Sequence, residues 1–287
     1  MIDTSYEPFS REPEYIEANR EFIRSLALGD GVRLVDLACG TGLLTALVLD
    51  GTGGRSTSIG VDLNRTSLLL AKQDLGIDPP GAGGAPRVAL VEGSADRLPV
   101  PTGWADLALI GNAIHCLPDL DIFFAEVRRA LRPGGRFGFN SSFYAGTFVP
   151  GTERFYDEWM MASVRYLRDL EAAARREGRP GFKRQRGTMK AAGTRRWHSP
   201  EEYGALLAKH GFTIDRLHQR TVIMTQHSFE TVGAFDGLAT VLLSGYPAEV
   251  ACEALTRSVA AGMQAVGRTE IPRYWLEMTA RRDAVAA

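Results

Sequence analysis

The chain has 287 residues, 45% of them apolar and 23% charged, with a formal net charge of −1. A chain of this length buries about 75% of its unfolded surface, so it needs neither disulfides nor metal to fold, and it has room for one large or two small domains. The composition excludes a disordered tail, a collagen and a coiled coil, no run reaches the roughly 18–20 apolar residues of a membrane span, and the charge balance argues against a surface built wholly for nucleic acid.

The first residues, Met1 to Glu7, are acidic and carry no apolar run, so no secretory signal is expected. Helix is predicted from Pro13 to about Leu28, with Tyr15, Ile16, Phe22, Ile23, Leu26 and Ala27 on one face, and Gly29-Asp30-Gly31 ends it. Strand and helix then alternate. Val32–Leu37 reads as a buried strand, Gly40-Thr41-Gly42 as a turn and Leu43–Leu49 as a helix. Ser58–Asp62 is a second strand and Arg65–Leu75 a second helix. Asp78–Gly84, with Pro79-Pro80, is surface loop. Val88–Val91 and Trp104–Gly111 are strands, Leu120–Leu131 is a helix ended by Pro133-Gly134-Gly135, and Arg136–Asn140 is a fifth strand. Five strands joined by helical crossovers predict a parallel, doubly wound α/β sheet. Glycine suits that architecture: 31 residues are Gly, above the average of about 7%, and many punctuate strand-to-helix turns.

Beyond Ser142 the pattern changes. A long helix is predicted from Thr152 to about Arg176, with Phe155, Trp159, Tyr166 and Leu170 on one face and Tyr156, Met160, Val164 and Leu167 on the next. The run from Arg175 to Arg196 holds nine Lys/Arg against one acid, Glu177. Such a run is read first as a solvated face, and alternatively as a steering patch for an anionic substrate. Ser199-Pro200-Glu201-Glu202 starts a helix ending near Gly211, since Ser caps, Pro suits the first turn and acids meet the positive helix end. Phe212–Asp215 and Thr221–Thr225 are strand material, Ser228–Ser244 and Pro247–Val266 are helices, and Tyr274–Ala280 is a final strand.

The chemistry concentrates between the first strand and first crossover helix, in Asp36-Leu37-Ala38-Cys39-Gly40-Thr41-Gly42. Glycines there let backbone approach a ligand at the switch point of the sheet. The third glycine of a dinucleotide fingerprint is missing, and Asp36 suits a cationic ligand better than a pyrophosphate. Asp62, at the end of the second strand, stands where an acid accepts hydrogen bonds from ribose hydroxyls. The plainer alternatives are a strand-end cap for Asp36 and a turn residue for Asp62. The three cysteines, Cys39, Cys116 and Cys252, lack CxxC spacing, so they are read as reduced, buried thiols of a cytoplasmic protein.

With these residues on the page, the chain resembles the class I S-adenosylmethionine-dependent methyltransferases, closely over about residues 30–142 and more loosely over 197–227 and 271–282. Asp36–Gly42 is similar to the family's glycine-rich first motif and Asp62 to its ribose-binding acid. Glu92–Pro99 resembles the segment after the third strand, and Leu131–Gly135 the motif before the fifth. The resemblance implies a mostly parallel seven-stranded sheet whose last strand runs antiparallel at a sheet edge. It implies one methyltransferase domain over 1–287: a helical cap at 1–29, a cofactor-binding core at 30–142, a lid insertion at 143–197, core again at 198–227 and 271–282, and a helical insertion at 228–270. Its cofactor is S-adenosylmethionine, with S-adenosylhomocysteine as product. The implied contacts are Asp36, Ala38, Gly40, Gly42, Asp62, Leu63, Ala95, Asp96 and Asn112, with Leu63 and Leu98 about the adenine ring. The cofactor's sulfonium, ammonium and lack of phosphate agree with the acids at 36, 62 and 96.

The loop Gly111–Leu117 would face the methyl donor. It lacks the Asn/Asp-Pro-Pro-aromatic sequence of enzymes that methylate base amines, so nucleic acid is not the expected partner. His115 is a candidate general base, since His titrates near neutral pH, or else a packing histidine; His198 is a weaker candidate. Tyr6, Phe9, Tyr15, Phe143, Tyr144, Phe148, Phe155, Trp159 and Met160 are candidate pocket residues or ordinary core, and as a pocket they imply a small, largely hydrophobic acceptor of the specialised-metabolite kind. The rival readings are a cofactor-bound cyclase on the same fold, an RNA methyltransferase, a nicotinamide-dependent oxidoreductase and a binding protein without activity. Metal and membrane partners are not expected, and the oligomeric state is open.

Overall fold

The computed structural model describes residues 5–77, 87–182 and 197–284. Pro79-Pro80 and the larger part of the basic run, 183–196, lie outside the described residues. In chain order the elements are α1 (Glu7–Ser10), α2 (Pro13–Ser25), β1 (Arg33–Leu37), α3 (Leu43–Gly51), β2 (Thr57–Asp62), α4 (Arg65–Asp74), β3 (Val88–Glu92) and β4 (Ala105–Gly111). A 3-10 turn (Ile114–Cys116), α5 (Leu120–Ala130), β5 (Leu131–Ser141), α6 (Glu153–Arg176), α7 (Pro200–Lys209) and β6 (Phe212–Thr225) follow. The chain closes with α8 (Gln226–Ala234), α9 (Asp236–Leu242), α10 (Ala248–Val266) and β7 (Glu270–Arg282).

The seven strands form one sheet in the order β3-β2-β1-β4-β5-β7-β6. β1 to β5 are parallel, and β7 pairs antiparallel with β5 from Arg136↔Arg281 to Ser141↔Leu276. The strand order reverses at the β1/β4 pair, the switch point where doubly wound sheets open a crevice at the carboxyl ends of their strands. β1 is buried from Leu34 to Leu37, as a central strand covered on both faces must be. The apolar stripe of α2 that the 3.6 period predicts packs there: Phe22, Ile23 and Leu26 join Leu34, Leu44, Val48, Leu107 and Leu109.

Two sequence expectations are corrected. The last strand is not at an edge, because β6 lies outside it. Burial explains the order: β7 is buried at every position from Trp275 to Ala280, whereas β6 exposes side chains along much of its length. A strand buried on both faces needs neighbours on both sides. Cys116 is exposed, unlike Cys39 and Cys252. Elsewhere the departures are small. The two pieces of strand at 212–225 are one strand, the helix at 228–244 is broken into α8 and α9, and β5 begins at Leu131 rather than Arg136.

By internal contacts the chain comprises two compact units. The larger holds residues 16–147, 197–220 and 275–287, and the smaller holds 1–15, 148–196 and 221–274. In the smaller unit α6 and α10 pack closely enough that a side chain at Gly262 would be tight: an added Cβ would stand 3.1 Å from the Trp159 Cα. Trp159 donates from Nε1 to the Leu255 carbonyl at 2.8 Å. Among the described residues no helix is long and apolar enough to cross a membrane.

Candidate active site

β1 delivers Asp36 to the carboxyl end of the sheet, 1% exposed. Its Oδ2 accepts from the Thr45 N–H at 3.1 Å and the Thr45 hydroxyl at 2.7 Å. Its Oδ1 is buried with no hydrogen-bond partner. Burial is the main reason that this carboxyl is pushed up to about 7; the bonds from Thr45 oppose the shift and the nearby charge of Asp62 adds to it. An orphaned buried carboxylate oxygen is rare and costly.

The turn after Asp36 is left-handed three times over: Ala38 has φ +50°, Gly40 +54° and Gly42 +83°. Ala38 is the costly one, since a side chain crowds the backbone in this region by about 1–2 kcal/mol. Gly42 caps α3, and a Cβ there would stand 2.9 Å from Leu75 Cδ1. Gly40 has open space where a Cβ would be. Its N–H donates to Asp62 Oδ2 at 2.8 Å, across 22 residues of sequence. Asp62 Oδ1 accepts from the Asn64 N–H at 2.7 Å. Asp62 is therefore fixed by one backbone donor on each oxygen, and a carboxylate, with about four acceptor sites, keeps capacity for a diol.

Leu63, next to Asp62, is 73% exposed, an apolar side chain standing in water beside a carboxylate. Leu98, its expected partner about an adenine ring, is buried. Ala95 is buried and Asp96 exposed. Gly93 donates to the Asp62 carbonyl at 2.9 Å, which holds the start of this segment beside the β2 terminus. The structure thus brings Asp36, Ala38, Gly40, Gly42 and Asp62 into one hydrogen-bonded turn, with Leu63 at its rim.

Asn112 follows β4 with φ +47° and is buried. Its N–H meets the Asn140 carbonyl and side-chain oxygen, each at 3.0 Å. Its Oδ1 accepts from the Ser142 N–H at 2.7 Å and the Ser142 hydroxyl at 3.1 Å. Asn140 in turn donates to Asn19 of α2 at 2.8 Å. Sequence reasoning missed Asn19, Asn140 and Ser142. Asn140 at a buried strand end was the available signal, because an amide there must find partners.

His115, half-buried on the 3-10 turn, lies with its ring 4.5 Å from that of Phe143. Its Nδ1 is 3.5 Å from Ser141 Oγ, a loose contact, and Ser141 Oγ also bonds the Phe143 backbone. Tyr144 is fully buried and accepts from Gln219 Nε2 at 3.0 Å. His198 lies 5.3 Å from the buried ring of Tyr203, centre to centre. All of these belong to the larger unit. Tyr6, Tyr15 and Trp159 belong to the smaller one, where Tyr6 packs edge-on with Phe9, Tyr15 and Phe235, and Trp159 stacks on Phe155.

Residues 35–139 match the family described as methyltransferase domain. A ubiquinone/menaquinone biosynthesis C-methyltransferase of Methylobacterium nodulans is 28% identical over 63% of this chain and 65% of its own length. A demethylmenaquinone methyltransferase of Lactobacillus johnsonii is 31% identical over 42% of this chain and 47% of its own. The match thus spans between about half and two-thirds of these relatives. Among solved structures, the [4+2]-cyclase SpnF has a TM-score of 0.55 at 18% identity, covering 94% of this chain and 82% of its own. A geranyl diphosphate methyltransferase has 0.51 at 20% identity, covering 93% and 78%. At these identities the likeness to the solved structures is one of fold.

Proposed function

We propose, for a chain whose residues 35–139 match a methyltransferase domain, that it transfers a methyl group from S-adenosylmethionine to a small, largely apolar acceptor. The observation that carries this reading is Asp62, fixed through both oxygens at the end of β2 and bonded to the Gly40 N–H of the left-handed turn. The residues present fit the cofactor. Asp62 suits the ribose diol, exposed Leu63 and the segment at Ala95 and Asp96 suit the adenine, and Asp36 with its orphaned oxygen suits the cationic end. Ala38, Gly40, Gly42 and Asn112 complete the proposed contacts.

When bound, S-adenosylmethionine supplies an electrophilic methyl on a sulfonium. What remains for the chain is to bind, align and exclude water, and orientation alone is worth up to about 7–11 kcal/mol. Phe143 and Tyr144 offer an apolar wall for the acceptor. His115 would hold a proton from the acceptor at Nε2, with the ring oriented by Phe143 and by Ser141 at Nδ1. That step matters for a hydroxyl or an acidic carbon and not for a neutral amine. The names of the curated relatives, methyltransferases of ubiquinone and menaquinone biosynthesis, support a small-molecule acceptor.

Calorimetric titration with S-adenosylmethionine and S-adenosylhomocysteine tests the reading. Micromolar binding is expected, weakened roughly tenfold or more by Asp62→Ala, about 1.4 kcal/mol. Well-folded protein that binds neither ligand overturns it. With an acceptor present, S-adenosylhomocysteine should accumulate; substrate conversion without it would point instead to a cofactor-bound cyclase.

A further inference from the structure

Between the end of β3 at Glu92 and the start of β4 at Ala105 the chain crosses without strand or helix, so its backbone groups find no ladder. Leu98 and Val100 are nonetheless buried, and buried backbone donors and acceptors need partners. The first part of the crossing is tied locally. The Gly93 N–H donates to the Asp62 carbonyl at 2.9 Å, and the Arg97 N–H to the Ser94 carbonyl at 3.1 Å. The second part is held by two side chains of α5. Glu126 and Arg129, three residues apart, share one face of that helix and are half-buried. Glu126 Oε1 accepts the Leu98 N–H at 2.6 Å. Arg129 donates from Nη2 to the Leu98 carbonyl at 3.2 Å and from Nη1 to the Val100 carbonyl at 2.8 Å.

The two side chains also brace one another. Arg129 donates to both Glu126 oxygens, from Nε to Oε2 and from Nη2 to Oε1, each at 2.7 Å. Two parallel charge-assisted bonds are stronger and more directional than one. The bonds from Arg129 hold the Glu126 carboxyl below its ordinary range; burial opposes this and the Leu98 N–H adds to it, so the acceptor stays ionised near neutral pH. The helix backbone completes the anchor, since the Arg129 carbonyl accepts the Gly103 N–H at 2.8 Å. Leu98 is thus gripped by its N–H and its carbonyl together, where an irregular segment meets a rigid helix. Ala95, buried, and Asp96, exposed, occupy the turn closed by Ser94 and Arg97, next to that grip. All of these residues belong to the larger unit.

We propose that Glu126 and Arg129 are positioning residues for the adenine base: by holding Leu98 through both of its backbone groups, they fix where the turn presents Asp96 to the exocyclic amino group. Each acts through Leu98 and not on the cofactor itself. The proposal rests on the function proposed above, in which Ala95 and Asp96 meet the adenine. Such a grip controls base selectivity. A site that accepts a hydrogen bond from an amino group rejects the analogue lacking it. It does so only while the acceptor is held in place, to within about 0.5 Å. Without the grip the segment would keep apolar contact with the base and lose the discrimination.

The test titrates the full chain by calorimetry with S-adenosylhomocysteine and with S-inosylhomocysteine, whose base carries an oxo group in place of the amino group. The unaltered chain should prefer S-adenosylhomocysteine by roughly tenfold or more, and Glu126→Ala should cut that preference to about threefold or less. Glu126→Gln, which keeps an oxygen for the Leu98 N–H, should restore much of it. Arg129→Lys should fall between, because an ammonium keeps the charge but loses the fork that reaches Glu126, Leu98 and Val100 together. A merely structural pair would lower the thermal midpoint and weaken both ligands by the same factor, and an unchanged ratio in Glu126→Ala overturns the proposal. So does a Glu126→Gln chain that discriminates no better than Glu126→Ala. Should Glu126→Ala fail to fold, Arg129→Lys carries the test, and an undiminished ratio there overturns the proposal. Equal binding of the two ligands by the unaltered chain rejects the Asp96 contact and this proposal with it. An unaltered chain that binds neither ligand rejects the proposed function as well, whereas one that discriminates and whose variants still do so rejects this proposal alone.

Discussion

Asp36 couples the candidate site to pH. Its folded value of about 7 stands above the ordinary 3.8, so the folded chain holds a proton that the unfolded chain releases. Stability from this group is fully present below about pH 4, falls as pH rises, and is gone above about pH 7. Asp36→Asn should flatten that part of the profile, measured by urea unfolding between pH 5 and 8; a profile unchanged by the substitution would contradict the burial argument. His115→Ala separates catalysis from packing. If His115 is the base, kcat falls by roughly 10²–10⁴-fold with the thermal midpoint little changed; a packing histidine would lower the midpoint and spare kcat. Asp36, Asp62 and the glycines were legible because their spacing between strand and helix is local. The clamp of Asn112 onto Asn140 and Ser142 was not, since its partners lie 28 and 30 residues away.

Elements carry their own tests. Gly42 has φ +83° and a Cβ position only 2.9 Å from Leu75 Cδ1, so Gly42→Ala meets strain and a clash together. Destabilisation of about 1–2 kcal/mol or more is expected, read as a lowered thermal midpoint and weaker S-adenosylmethionine binding. Gly262 is the sharper case, because alanine is the better helix former by about 1 kcal/mol. Its Cβ would meet the Trp159 Cα, Cβ and N within 3.2 Å, so α6 and α10 would have to separate. Overpacking of about 1–3 kcal/mol should win, and Gly262→Ala should lower the midpoint; a stabilised variant would contradict the packing. Element type was readable throughout the alternating half, because strand and helix periods differ. Boundaries were less so where a residue both ends one element and begins the next, as Leu131 does after α5.

At the scale of the whole molecule, the sheet is tied together by a buried acid that no local pattern announces. Glu277 on β7 is 1% exposed and pairs with Arg220 at 2.5 Å and Arg216 at 3.0 Å, both on β6. Arg220 also bonds Glu21 of α2, and Arg216 bonds Ser25. Removing one partner strands the others, so Glu277→Ala should cost about 3–5 kcal/mol by chemical denaturation, and a loss below about 1 kcal/mol would show the network to be dispensable. The pairs join residues up to 199 apart in sequence, beyond the reach of any periodicity. By itself the sequence determined the alternation of strands and helices, the glycine turn after Asp36 and the place of Asp62 at the end of a strand, because each follows from backbone preferences and side-chain period over a few residues. Only the tertiary structure decided that β7 lies inside β6, that Asp36 keeps an orphaned oxygen, and that Arg273 lies beside a pair of touching aromatic rings. Those depend on which distant surfaces exclude water from one another, and burial is a property of the assembled chain.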